Sequence, residues 1–320
     1  MNVRRVIPRD AIPSVDDPEF GERYEGDGDD RVVVVDSGQP PRAYPIRYLA
    51  YHEIVNDVLD AGAEPIAVTW CPLCGSAVVY DRRHEGRTLE FGVSGKLADD
   101  DLVMYDRETE SEWKQSSGTC LAGRFEGDSL SVRPAAMLTW GAFQQSYPDG
   151  VVLQAPGGTS EAASEDDSPA QIEYDTGPYK AYRSGEGFGL AAHRSGESVR
   201  EWTRDDDIRP KTVVIGVELD DAALGVPLPR VSRAGGVVRT TVGEQDVLVI
   251  ATEDGGIHGF ADPGFSVEAT DSGIVGDGTT WDPATGRSND GRRLDRLPTR
   301  RLFAFAWQDD HGADSFYRSD

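Results

Sequence analysis

A glycine or a proline interrupts this chain about every six residues, with 36 glycines and 19 prolines in 320 positions. Glycine gives up the most backbone entropy when it is held in a helix, and proline lacks the amide and collides with the preceding turn. Elements must therefore be short and turns frequent, a spacing that suits strands better than long helices. The expected fold is α+β, mainly β, with a few short helices. The length allows one large domain or two modest ones. Only 38% of residues are apolar, but 6 Trp, 11 Tyr and 10 Phe supply the large side chains a core needs.

Between the breaks, apolar residues fall in recognisable patterns. Arg31–Val35 reads as a buried strand. From Tyr44 to Leu59, residues Ile46, Leu49, Ile54, Val55, Val58 and Leu59 recur near helical spacing, which predicts a helix ending before Gly62. Pro65–Trp70 reads as a strand that delivers the chain to Cys71. Ala77–Asp81 and Thr88–Val93 read as a hairpin around Glu85-Gly86. Leu102–Tyr105 reads as a short strand, and Met137–Tyr147 as a helix stopped by Pro148-Asp149-Gly150.

Residues 1–30, with Pro8, Pro13, Pro18 and the acidic cluster Glu25–Asp30, read as an extended arm. Ala155–Asp167, rich in Gly, Ser and acid, reads as a solvated loop within a linker over 154–172. Beyond it the pattern begins again. Thr212–Gly216 echoes Val32–Val35, Val247–Ala251 echoes Pro65–Thr69, Trp281–Gly286 echoes Tyr105–Glu110, and Arg301–Trp307 echoes Leu138–Phe143. Two related β-rich halves are expected, 31–153 and 173–320, with paired cysteines in the first alone.

Charge narrows the partners. There are 57 acidic residues against 32 basic ones, a net −25, and the lysines are only Lys96, Lys114, Lys180 and Lys211. In dilute buffer such a surface repels itself, and molar salt removes that penalty, so a salt-adapted, halophilic protein is expected. No basic stripe exists to neutralise phosphates, which argues against nucleic acid. No apolar run approaches spanning length. The residues after Arg4-Arg5 are too polar for an export leader. No membrane partner and a cytoplasmic location are expected.

The chemistry is concentrated at Cys71-Pro72-Leu73-Cys74. Two thiolates at this spacing can grip one Zn²⁺ or Cu⁺, or close into a disulfide and shuttle electrons. Cys120 is the third and last cysteine, so a four-cysteine site within the chain is excluded. The candidate metal ligands are Cys71, Cys74 and His52, with Glu53 and Asp57 placed to orient the imidazole. The same three ligand residues are the candidates for a thiol enzyme, with one cysteine activated by His52. His311 is a second imidazole candidate, and Met104 a soft ligand for Cu⁺. His84 should face solvent, and His193 and His258 have no evident partners. Asp106, Arg107, Thr109, Ser111 and Gln115 form either a polar pocket or a buried network that holds a turn. Two inert cysteines in a scaffold or binding module are the plainer alternative. The partner is otherwise an unidentified small molecule or a metal donor.

Several segments together carry a family likeness: His52–Asp57, Cys71–Val78, Phe91–Gly95, Tyr105–Thr109 with Ser111, Trp113 and Gln115, and Trp140-Gly141 followed by Tyr147–Gly150. Pro178-Tyr179, Tyr182 and the closing Phe303–Trp307 complete it. In order and spacing these segments resemble the domain of unknown function 3179, over most of residues 40–310. The resemblance implies a shared fold and site and supplies no activity. Relatives in that family look exported, whereas no leader is evident here.

Overall fold

The computed structural model describes residues 1–59, 64–164, 168–204, 206–219, 221–270 and 273–318. The protein is mostly β. Its longest described strands, Glu64–Cys71 and Phe91–Ala98, have eight residues, and its longest described helix, Ala304–His311, also has eight.

The central sheet has six strands in the spatial order Ala222–Pro227, Val213–Leu219, Thr299–Phe303, Ser76–Asp81, Glu64–Cys71 and Ile54–Leu59. Strands from both ends of the chain meet in it where Arg301 faces Ala77. Alternation along Glu64–Cys71 sends Ile66, Val68 and Trp70 into one core and Ala67 and Cys71 into another, as the period of two requires. A second sheet, in the order Val3–Arg5, Phe91–Ala98, Asp101–Asp106, Glu112–Lys114 and Cys120–Ala122, closes over the cysteine side. Residues 1–30 are anchored along the body of the protein: Val3–Arg5 pairs with Lys96–Ala98, Val15 bridges Val55, and Ala11 and Ile12 are buried.

Three expectations about local structure change. The helix predicted over Tyr44–Leu59 covers only Ile46–His52, and Ile54–Leu59 is a strand paired with Glu64–Thr69. The β-branched Ile54, Val55 and Val58 suit a pleated surface, and pairing decides between two patterns that a short apolar run fits equally well. Ala77–Asp81 and Thr88–Val93 do not form one hairpin. Ser76–Asp81 joins the central sheet and Phe91–Ala98 the second, leaving only Arg83–His84 against Arg87–Thr88 around the turn. The predicted helix over Met137–Tyr147 begins at Trp140, with Thr139 accepting the Ala142 amide as its cap; Ala136–Thr139 is a strand.

Within the expected linker, Thr159–Ser160 pairs with Ala170–Gln171, and a short 3₁₀ turn spans Glu161–Ala163. Residues 165–167 of that segment lie outside the described residues.

Candidate functional site

Cys71 is the last residue of its strand and faces Ser76 across the turn that carries Cys74. The turn closes through Gly75 at φ +56, a conformation that favours glycine. Its carbonyls are bound from distant parts of the chain. Leu73 O accepts the Tyr182 hydroxyl at 2.7 Å, Cys74 O accepts the Phe303 amide at 2.7 Å, and Gly75 O accepts the Arg301 guanidinium at 2.9 Å. The turn is thus held in place by the C-terminal part of the protein.

The third member arrives on the other sheet. Ala98 faces Asp101 across a two-residue hairpin whose central residues, Asp99 and Asp100, have φ of +52 and +69. Aspartate tolerates this left-handed conformation better than most residues, and two such residues make the tight turn that matches strand twist. The turn sets the Asp100 carbonyl 3.5 Å from the Cys74 sulfur, which donates to it, and starts the next strand with Asp101. The sulfurs of Cys71 and Cys74 and a carboxylate oxygen of Asp101 all lie within 4.8 Å of one another. All three residues are at most 1% exposed. Asp101 Oδ2 accepts the Ser116 amide at 3.1 Å, whereas Oδ1 has no hydrogen-bond partner.

Electrostatics follow from burial. Desolvation pushes the Cys71 thiol up and the Cys74 thiol well up, with Asp101 adding to both. Desolvation also raises Asp101, against the pull of the Lys114 ammonium. Lys114 is buried and ion-paired with Asp310, and the nearby carboxylates outweigh its own desolvation and raise it. Burial thus disfavours the ionised form of all three donors when no cation is present.

His52 does not join this group. It ends the shortened helix, and its ring is spent elsewhere: Nδ1 lies 2.9 Å from Pro13 O and Nε2 2.8 Å from the Tyr174 hydroxyl. Of the expected set of Cys71, Cys74 and His52, the structure brings the two cysteines together with Asp101 and sets His52 apart. Asp57 does not orient His52 either. Its carboxylate binds Arg42 at 2.6 Å and Tyr44 at 2.5 Å. Glu53 turns the other way, toward the cysteines.

The remaining histidines have their own surroundings. His84 sits 3.0 Å from Asp128 and edge-on to Trp113 and Phe125, more covered than expected. His193 stacks on Tyr179, His258 is buried with Nε2 unpartnered, and His311 binds Glu218 at 3.1 Å beside Trp307. Met104 and Cys120 pack in the core.

The segment Asp106–Gln115 is tied together by hydrogen bonds. Asp106 accepts the Thr109 amide at 2.6 Å, the Thr109 hydroxyl at 2.8 Å and the Trp113 indole at 2.9 Å, while Ser111 accepts the Arg124 amide. Arg107 reaches out to Asp16 and Ser14. Gln115 ties Thr69 to the same sheet at 2.8 Å.

A β-rich protein with two thiols and a carboxylate gathered in its buried interior is the class that fold and site define. The chain belongs to the family described as Protein of unknown function (DUF3179), whose model matches residues 9–314. No curated protein matches it, and no solved structure does. Among the described residues, no helix is long and apolar enough to cross a membrane.

Proposed function

We propose that this protein binds one metal ion, Zn²⁺ in preference to Cu⁺, through Cys71, Cys74 and Asp101. The observation that carries this reading is the convergence of three buried ligand atoms within 4.8 Å, one of them on a carboxylate with an unpartnered oxygen. A buried polar atom without a partner is unfavourable unless something else satisfies it. Zn²⁺ takes thiolate and carboxylate together, whereas Cu⁺ selects sulfur. Two thiolates, one carboxylate and a divalent cation leave one negative charge, beside the buried Lys114–Asp310 ion pair. Metal binding deprotonates a coordinating thiol outright, so burial of the free thiols does not oppose it.

The test is metal content by plasma mass spectrometry, on protein purified in high salt without chelator or nickel resin. About one zinc per chain is expected, lost in Cys71→Ser/Cys74→Ser and much reduced in Asp101→Asn. Metal-free wild type that takes up no Zn²⁺ on titration contradicts the reading.

A thiol-enzyme reading is favoured by one feature, the closeness of the two sulfurs, which suits a disulfide. Burial weighs against it, because thiols pushed up in an apolar core hold little of the nucleophilic thiolate at neutral pH. Rapid alkylation of metal-free protein by iodoacetamide at neutral pH would reverse this preference.

We also propose that the two halves descend from one unit. Three features support this. The order Ala136–Thr139, Arg31–Val35, Arg42–Pro45 is matched by Thr299–Phe303, Val213–Leu219, Ala222–Pro227. In each half a proline, Pro45 or Pro227, caps the next short helix. Three antiparallel strands then follow, Ile54–Asp81 in the first half and Val237–Ala261 in the second. The second-half turn that corresponds to Cys71–Gly75 is Thr252–Gly256 and carries no sulfur. An experimental structure in which these strands fail to superpose in this order contradicts the duplication.

A further inference from the structure

We infer that the cavity beside Cys71 is the ligand side of the proposed metal centre, holding a small, neutral, exchangeable molecule between the metal and the Glu53 carboxyl. This rests on the metal reading above and adds to it that the centre is open, as catalytic zinc sites are, rather than closed by a fourth protein ligand.

Three observations converge. First, a cavity of about 80 Å³ is bounded by Cys71, Pro72 and Leu73 on the turn and by Glu53. One water needs about 10–15 Å³ measured in this way, so there is room for a ligand of a few non-hydrogen atoms. Second, Glu53 is 6% exposed and lines this cavity, and none of the side-chain hydrogen bonds or ion pairs found among the described residues involves its carboxyl. An unpartnered carboxyl in a cavity wall is the polar group that a ligand would complete. It interacts electrostatically with Glu161 in the same wall and also with Asp101 and Cys71 of the centre.

Third, the backbone of Glu53 is strained and pinned. Its φ of 59° and ψ of −31° lie outside the regions a side-chain-bearing residue prefers. Its amide donates to Leu49 O and its carbonyl accepts the Trp70 amide, both at 2.8 Å. Strain held in place from both sides gathers at functional positions. Here it turns the carboxyl away from the helix axis of Ile46–His52 and toward the sulfur-bearing turn.

The rest of the wall decides the ligand class. Ile12, Val93, Leu97 and Leu102 make it largely apolar. Of the other charged or titratable groups that line it, Lys96 is paired with Glu112, His193 stacks on Tyr179, and Glu161 and Arg194 oppose each other in sign. The site suits a neutral molecule with one atom that can ligate the metal and another that can hydrogen-bond to a carboxyl.

The test uses Co²⁺-loaded full-length protein in high salt, with imidazole as the neutral probe. Thiolate-to-cobalt absorption reports whether the centre forms, and the visible cobalt bands report whether a further ligand enters. The expected result is a sulfur–cobalt band in wild type, with visible bands that shift saturably on adding imidazole. Glu53→Leu should keep the sulfur–cobalt band and bind imidazole about tenfold more weakly, the effect of one lost hydrogen bond. Glu53→Gln, which preserves hydrogen bonding, should stay within about threefold of wild type by the same argument. A sulfur–cobalt band with visible bands indifferent to imidazole overturns the open site and leaves the metal reading standing. Equal imidazole affinity in wild type and Glu53→Leu overturns the place given to Glu53. No sulfur–cobalt band at all overturns both readings.

Discussion

The amide of Phe303 donates to the carbonyl of Cys74 at 2.7 Å, while the Phe303 ring fills the space where a Cβ on Gly75 would stand, 2.7 Å from that position. One residue of the closing strand therefore both binds the sulfur-bearing turn and forbids a side chain on it. Gly75→Ala meets this ring and a left-handed backbone together, and should destabilise the protein by roughly 1–3 kcal/mol. Denaturant unfolding at fixed high salt checks this: the midpoint should fall with the slope unchanged. A wild-type midpoint would mean that the ring yields freely.

Asp106 and Asp101 bound the same strand and should respond oppositely. Asp106→Asn disrupts a carboxylate that accepts from Thr109 and Trp113, which should lower stability by roughly 1.5–3 kcal/mol and leave zinc stoichiometry alone. Asp101→Asn should weaken zinc binding and spare the Asp106 turn. Unfolding curves and metal content measured on both variants separate the roles, and a loss of zinc in Asp106→Asn would contradict them.

The contrast shows what could be read from the residues alone. The two sulfurs were legible because spacing and a preceding strand place them within one turn. Asp101 was not, because it reaches them only through sheet pairing and stands in Asp99-Asp100-Asp101, which reads as solvated acid. The available signal was that two aspartates can form the tight left-handed turn and leave the third at the head of the apolar run Leu102–Tyr105. His52 is hard to place for a related reason: the apolar run Ile54–Val58 fits a helical period as well as a strand, and a longer helix would keep Glu53 beside the imidazole. The mainly β fold was legible from glycine and proline spacing, since that argument needs no long-range contact.

Two buried groups should shape the pH dependence of metal-free protein in opposite ways. Burial lowers His258 from 6.5 to about 3. Between those values the unfolded chain holds a proton that the native state does not, so stability falls as pH drops below 6.5. Burial raises Glu53 from 4.5 to about 8. Across that interval the native state holds the extra proton, so stability falls as pH rises. Unfolding midpoints from pH 4 to 8.5 should lose the acid-side decline in His258→Gln and the alkaline-side decline in Glu53→Gln. Parallel curves for variant and wild type would contradict the assignment.

We propose that the net charge of −25 makes stability depend on salt. Exposed ion pairs lose little when screened, whereas self-repulsion of this size is relieved throughout. Raising KCl from tenth-molar to molar should raise the melting temperature by several degrees. A fall would show that the arginine–carboxylate pairs outweigh the repulsion.

The coordination sphere itself is the most direct test of the central claim. X-ray absorption at the zinc edge of the loaded protein should show two sulfur neighbours at about 2.3 Å and oxygen at about 2.0–2.2 Å, with the sulfur shell vanishing in Cys71→Ser/Cys74→Ser. A first shell of nitrogen and oxygen without sulfur would contradict a centre built on Cys71, Cys74 and Asp101.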